Sequence, residues 1–289
     1  MLFHQDQRDA LKLVVYGHSG IGKTRLGCTA PKPLIVLFER QGAATIELYC
    51  REHGLAPHPT IHVETWDELL EVMRALSRTL SIAVVYRALN AKRAEEGHPE
   101  ALTDAQLEAA IQALPYDRPE WLVVDSATEA GELMEAAVKR DAPPPKGKDG
   151  LPAPSMRHAV TIMDRFRAFL KGMRDLPLSV LFLALRDDRD GTDTAERVTR
   201  VRMPFKSMGE DLMRTTNAVG VMSREQVEVG RSEKDEPIVE LRRMVRFAPL
   251  PSWAMGKEFG SLSVEEPDVG AWVAKLATSA PETKQAKKK

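Results

Sequence analysis

Apolar runs of strand length punctuate the chain and alternate with segments whose apolar residues recur at helical spacing. Leu11-Lys12-Leu13-Val14-Val15-Tyr16, Pro33-Leu34-Ile35-Val36-Leu37-Phe38, Trp121-Leu122-Val123-Val124 and Ser179 to Leu185 are nearly continuous in hydrophobicity. Such runs read as strands buried on both faces, the condition of a parallel sheet covered by helices. A shorter strand is expected at Thr60-Ile61-His62-Val63. Thr65-Trp66-Asp67-Glu68 forms a capping box ahead of Leu69, Leu70, Val72, Met73 and Leu76 at helical spacing. Further helices are expected at about Glu129 to Lys139 and from Met156 to Arg174, the latter with Ile162, Phe166, Phe169 and Leu170 inward. The alternation predicts the α/β class, a mostly parallel sheet flanked by helices.

Two stretches break this rhythm. Residues 81–119 carry charge-rich helical text, Tyr86 to Glu96, then a second capping box, Thr103-Asp104-Ala105-Gln106, and a helix to Leu114. They read as a helical insertion between core strands. Residues 141–154 are rich in proline and glycine, which forbids regular structure and predicts a flexible surface loop. In the last third, Arg197 to Met203, Ala218 to Ser223 and Ile238 to Ala248 look like strands joined by polar turns, an expected antiparallel extension. One domain is expected over residues 1–280, followed by a disordered basic tail, 281–289, ending in Lys287-Lys288-Lys289.

Composition narrows the class. The chain has 289 residues, 43% of them hydrophobic, and a mean hydropathy of -0.30, enough for a sizeable core. No apolar run approaches the ~20 residues of a membrane span, so no membrane partner is expected. Met1 to Asp6 lacks the basic and apolar regions of a secretion signal. The two cysteines, Cys28 and Cys50, offer no disulfide framework and suit a reducing cytoplasm. The formal net charge is -1, so any affinity for nucleic acid must come from local patches. Three exist: Arg197/Arg200/Arg202, Arg242/Arg243/Arg246 and the lysine tail. Arg200 and Arg202 would share one face of a strand, as a phosphate-tracking stripe or as an ordinary solvated face.

The strongest chemical signal is Gly17-His18-Ser19-Gly20-Ile21-Gly22-Lys23-Thr24, which fits the P-loop pattern G-x-x-x-x-G-K-[ST] between a strand and a helix. Its glycines let backbone N–H groups turn inward around phosphate, and Arg25 lies beside them on the helix. Lys23 is expected on the β- and γ-phosphates and the Thr24 hydroxyl on Mg²⁺, with ATP as the nucleotide. Asp125, ending an apolar strand, is the expected acidic partner for Mg²⁺; its other reading is the N-cap of the following helix. Ser126 follows it, so a catalytic base must come from elsewhere. Glu39 is the candidate, because it sits at the carboxyl end of a strand, where such sheets bind ligands. An ion pair with Arg40 or Arg51 is the alternative for Glu39. No arginine or lysine is placed by its sequence position to finish the site within one chain, which predicts a homo-oligomer.

Other constellations carry less. Cys50, His53, His58 and His62 fit no zinc-ligand spacing, because Pro57 and Pro59 interrupt them. Asp188-Arg189-Asp190-Gly191 resembles the D-x-x-G of GTPases, but no N-K-x-D accompanies it. Tyr16 reads as core. Trp253 reads as packing, or as a platform for a base.

Together these features resemble a RecA-like P-loop NTPase core, and more closely the phage RecA-like ATPases of the Sak-type single-strand-annealing family. Pro31-Lys32-Pro33-Leu34 continuing to Glu39-Arg40-Gln41-Gly42 resembles that family's "P-x-P-L…E-x-G" stretch, and Asp125-Ser126 its "D-S" ending. Ala254-Met255-Gly256-Lys257-Glu258-Phe259-Gly260 is similar to its short "K-x-x-G" element. The resemblance spans about Leu11 to Val273 outside the insertion. It implies ATP hydrolysis with Glu39 as base, and Lys257, or else Arg243 or Arg246, reaching a neighbouring subunit's γ-phosphate. It also implies single-stranded DNA as partner, with phage or host replication and recombination proteins in attendance. One departure stands out: Leu181-Phe182-Leu183-Ala184-Leu185 is apolar to its end, where such cores carry a polar sensor, with Arg186 or Asp187 as possible substitutes. A nucleotide-gated protein-binding module with slow turnover is therefore a rival reading. A small-molecule kinase is another, with Lys146 and Lys148 in a lid.

Overall fold

Parity along the central strands decides the architecture. Val14, Tyr16, Leu34, Val36, Leu122, Val124, Val180 and Phe182 all enter one buried cluster, whereas Leu13, Val15, Ile35, Leu37, Val123, Leu181 and Leu183 enter another. Successive side chains of a strand point to opposite faces, so the sheet has a core on each side. Each fully buried Val or Leu contributes about 1.5–3 kcal/mol of hydrophobic stabilisation.

The computed structural model describes residues 10–143, 156–189, 198–231, 237–247 and 256–279. Its strands are β1 (Lys12–Gly17), β2 (Pro33–Leu37), β3 (Thr60–His62), β4 (Trp121–Asp125), β5 (Ser179–Arg189), β6 (Val198–Val201), β7 (Ala218–Arg231), β8 (Pro237–Arg246) and β9 (Val264–Glu265). They are ordered β3-β2-β4-β5-β1-β7-β8-β9, with β6 paired to β5. The stretch from β3 to β7 is parallel throughout; β6, β8 and β9 pair antiparallel. The helices are α1 (Lys23–Cys28), α2 (Gln41–Glu52), α3 (Trp66–Thr79), α4 (Ile82–Glu95), α5 (Asp104–Gln112), α6 (Ala127–Asp141), α7 (Met156–Asp175), α8 (Lys206–Thr215) and α9 (Val269–Ser279). With the P-loop strand β1 and the acid-bearing strand β4 separated by β5, this is the expected α/β arrangement of a mostly parallel sheet flanked by helices.

Both capping boxes are present. Thr65 Oγ1 accepts from the Glu68 N–H at 3.1 Å, and Thr103 Oγ1 from that of Gln106 at 3.4 Å. The 81–119 segment contributes α4 and α5, yet Ile82, Val85 and Leu89 are buried in the same cluster as the sheet. The C-terminal antiparallel extension is present in β6, β8 and β9. One of its expected strands differs, because β7 is parallel to β1 and extends the main sheet before β8 returns antiparallel to it. β5 also runs on past Leu185 to Arg189.

Helices α2, α8 and α9 were not evident from the sequence pattern, although α9 presents Val269, Trp272, Val273 and Leu276 at helical spacing. Of the expected arginine stripe, Arg200 is half-buried and lies 3.6 Å from Asp187, while the exposed Arg202 follows the end of β6, its N–H donating to the Leu185 carbonyl at 2.8 Å. Arg197, Trp253, most of the 141–154 loop and the basic tail lie outside the described residues. Among the described residues no helix is long and apolar enough to cross a membrane.

Candidate nucleotide-binding site

Strand register gathers the predicted residues at one edge. Asp125 is level with Leu37 on β2 and with Leu183 on β5, while Gly17 is level with Leu185. The segments leaving β1, β2 and β4 therefore meet at the carboxyl edge of the sheet, as α/β ligand sites do. They line a pocket of about 370 Å³ that holds Ser19, Gly20, Gly22 to Arg25, Glu39, Asp125 and Glu129.

The loop itself is built on glycine geometry. Gly20 and Gly22 have φ of 72° and 106°, a left-handed backbone that side chains resist. Ile21 between them is buried and pins the loop to the core, while His18, Ser19 and Gly20 stay exposed. Lys23, the first residue of α1, folds back so that Nζ donates to the Gly17 carbonyl at 3.0 Å and the His18 carbonyl at 2.8 Å. Burial lowers its pKa, opposed by the nearby Asp125 and Glu129. Arg25 is turned away to Glu52 at 2.6 Å and lies over the Tyr49 ring.

The Thr24 hydroxyl donates to Asp125 Oδ2 at 2.6 Å. This juxtaposition supports the metal reading of Asp125 over the capping one; Ser126, not Asp125, precedes α6 as its N-cap. Burial pushes the Asp125 carboxyl up, against the Thr24 hydrogen bond and Lys23. A hydroxyl and a carboxylate side by side are hard oxygen donors suited to Mg²⁺, and a dication would offset the cost of a buried carboxylate.

Glu39 lies two residues past the end of β2, exposed at the pocket rim, and makes no ion pair among the described residues. Arg40 is instead held by Glu64 at 2.8 Å and Glu100 at 2.6 Å. A carboxylate the sequence reading overlooked stands opposite. Glu129, in the first turn of α6, accepts a hydrogen bond from the Ser126 hydroxyl. Burial, then the charges of Glu39 and Asp125, raise its pKa. Its spacing of one helical turn from Asp125 was the available signal. The apolar end of the 181–185 run is also supplied with a polar neighbour: the Leu185 N–H donates to Thr128 Oγ1 at 3.0 Å.

The structure corrects one expectation about completion of the site. Arg243, on β8, lines the pocket of its own chain, because the β7–β8 pairing carries it there from a distant part of the sequence. Lys257 is elsewhere. It bridges to Val219 near the start of β7, and Nζ donates to the Thr216 carbonyl at 2.5 Å. Arg246 pairs with Glu225. The four residues weighed as zinc ligands do not converge: Cys50 is buried, His53 meets the Tyr49 carbonyl, His58 the Cys28 carbonyl, and His62 faces Glu64 and Glu100.

Asp125→Asn tests the metal reading. The folded-state pKa of Asp125 lies above its unfolded value, so the stability this group contributes is present below the unfolded value and lost as pH rises through the folded one. At neutral pH the substitution should therefore raise the Tm of the nucleotide-free protein. It should also weaken Mg²⁺ binding to the ATP complex by about 10- to 100-fold. Differential scanning fluorimetry across a Mg²⁺ titration checks both.

A search of curated proteins returned no match. Among solved structures, the ATPase of a type III secretion system of pathogenic bacteria aligns at 14% identity with a TM-score of 0.36, over 75% of this chain and 55% of that one. The chain thus spans about half the length of that ATPase. A KaiC-like protein of the hyperthermophilic archaeon Pyrococcus horikoshii OT3 aligns at 14% identity with a TM-score of 0.34, over 84% of this chain and 80% of that one. The AAA domain profile matches residues 9–254, from before β1 to beyond β8, and on that extent the chain belongs to the AAA domain family of P-loop ATPases.

Proposed function

We propose that this protein binds Mg-ATP at the edge formed by β1, β2 and β4, hydrolyses it, and acts on single-stranded DNA in phage-type recombination or replication. The observation that carries the nucleotide reading is the Thr24–Asp125 hydrogen bond beside Lys23, in one pocket with Glu39. Lys23 exchanges its loop carbonyls for phosphate oxygens. Thr24 and Asp125 hold the Mg²⁺, which when bound neutralises charge on the phosphates. Glu39, at the rim and without an ion pair among the described residues, orients the attacking water and takes its proton.

Action on single-stranded DNA, assembly into a homo-oligomer and a role for Lys257 at a neighbour's γ-phosphate are supported by the Sak-type motif resemblance. Lys257 would have to give up the Thr216 carbonyl to play that role. The test is ATP hydrolysis at low salt with and without single-stranded DNA. Stimulation by DNA that fades with added salt is the expected result, since phosphate contacts release counterions. Unstimulated turnover with intact ATP binding would replace this reading with a nucleotide-gated protein-binding module.

A further inference from the structure

β8 carries three arginines in five residues, and they are treated differently by their surroundings. Arg242 is held by Glu240 at 3.0 Å and Glu266 at 3.2 Å. Arg246 is held by Glu225. Arg243 has no carboxylate partner among the described residues, and its guanidinium lies against the P-loop. A side-chain carbon placed on Gly22 would sit 3.4 Å from both its Cζ and its Nε.

Strand periodicity explains the aim. Phe247 and Val245 are buried in the cluster that also contains Leu26 of α1 and Trp272 of α9. Arg243 is the next residue on that face, and Leu241 beyond it is exposed. The sheet's α1 side ends at this point. β7 is level with Gly17 at Met222, and Met222 is level with Val245 on β8. Arg243 therefore stands one same-face step past the carboxyl edge, where the loop turns into α1. A cation with no carboxylate partner among the described residues, held beside a loop whose backbone is shaped for phosphate, is placed to take a phosphate.

We infer that Arg243 is a phosphate-binding residue of its own chain's nucleotide site: the β7–β8 hairpin delivers in cis the second cation that the P-loop segment lacks. This rests on the nucleotide reading above and goes beyond it, because it removes the need for a neighbouring subunit to supply that charge. The guanidinium can donate two parallel N–H groups to one phosphate, which a lysine cannot match.

The test is binding of a fluorescent, non-hydrolysable ATP analogue with Mg²⁺ to the full chain. Arg243→Ala should weaken it by about 10- to 100-fold, the size of a lost charge-assisted contact, and Arg243→Lys should recover only part. Arg242→Ala, on the other face of the same strand, should bind as wild type does. Lys23→Ala, which lacks its own site but keeps Arg243, should not restore tight binding when mixed with Arg243→Ala. Wild-type affinity in Arg243→Ala overturns the inference and leaves the nucleotide site standing. Restored affinity in the mixture also overturns it, because the arginine would then act between subunits. Absence of binding by the wild-type chain would overturn this inference and the nucleotide reading together.

Discussion

Lys23→Ala should lower ATP affinity by about 10²-fold or more and bring turnover to background. Two charge-assisted hydrogen bonds to phosphate, at roughly 1.5–3 kcal/mol each, set that scale. In the present structure Nζ already occupies a two-acceptor position on the Gly17 and His18 carbonyls. The same polar contacts can pass to phosphate oxygens without moving α1. Loss of function should not come from unfolding. Burial disfavours the charged ammonium and lowers its pKa, so removing the charge takes away a cost rather than a support. Nucleotide-free Lys23→Ala should melt no lower than wild type while losing its ATP-induced rise in Tm. Isothermal titration calorimetry beside a phosphate-release assay checks this, and wild-type affinity would overturn the nucleotide assignment.

Glu39→Gln should leave ATP binding within a few-fold of wild type and reduce hydrolysis by about 10²- to 10⁴-fold, the usual contribution of a positioned base. The amide is isosteric and the carboxylate bears no ion pair among the described residues, so the fold has little to lose. Substitution by glutamine also removes a negative charge that raises the pKa of Glu129 and Asp125. Single-turnover hydrolysis separates the chemical step from binding and product release. Normal turnover in Glu39→Gln would show the base to be elsewhere. Glu129 would then be the next residue to substitute, since it lines the same pocket and its pKa is already raised.

The candidate site residues legible in the sequence were those whose signal is local. A P-loop is read from its glycines because only they tolerate the backbone at Gly20 and Gly22. Asp125 and Glu39 were found because a buried strand announces its own end. Glu129 was missed although it lies one helical turn from Asp125, because its place in the pocket depends on which face of α6 meets the sheet. The 181–185 run was read as apolar to its end, where a polar sensor would stand. That Thr128 of α6 accepts from the Leu185 N–H there was not legible, because the contact joins a strand and a helix far apart in the chain.

By itself the sequence determined the α/β class, the buried parallel strands, both capping boxes and the phosphate loop, all of which follow from short-range periodicity and backbone sterics. Only the tertiary structure decided that β7 joins the parallel sheet, that Arg200 is drawn to Asp187, and that Lys257 lies away from the pocket. It alone decided that Arg243 reaches Gly22. The physical reason is register: a strand's neighbour is chosen by long-range pairing and by which face is buried, and a shift of one residue would turn Arg243 to the opposite side of the sheet.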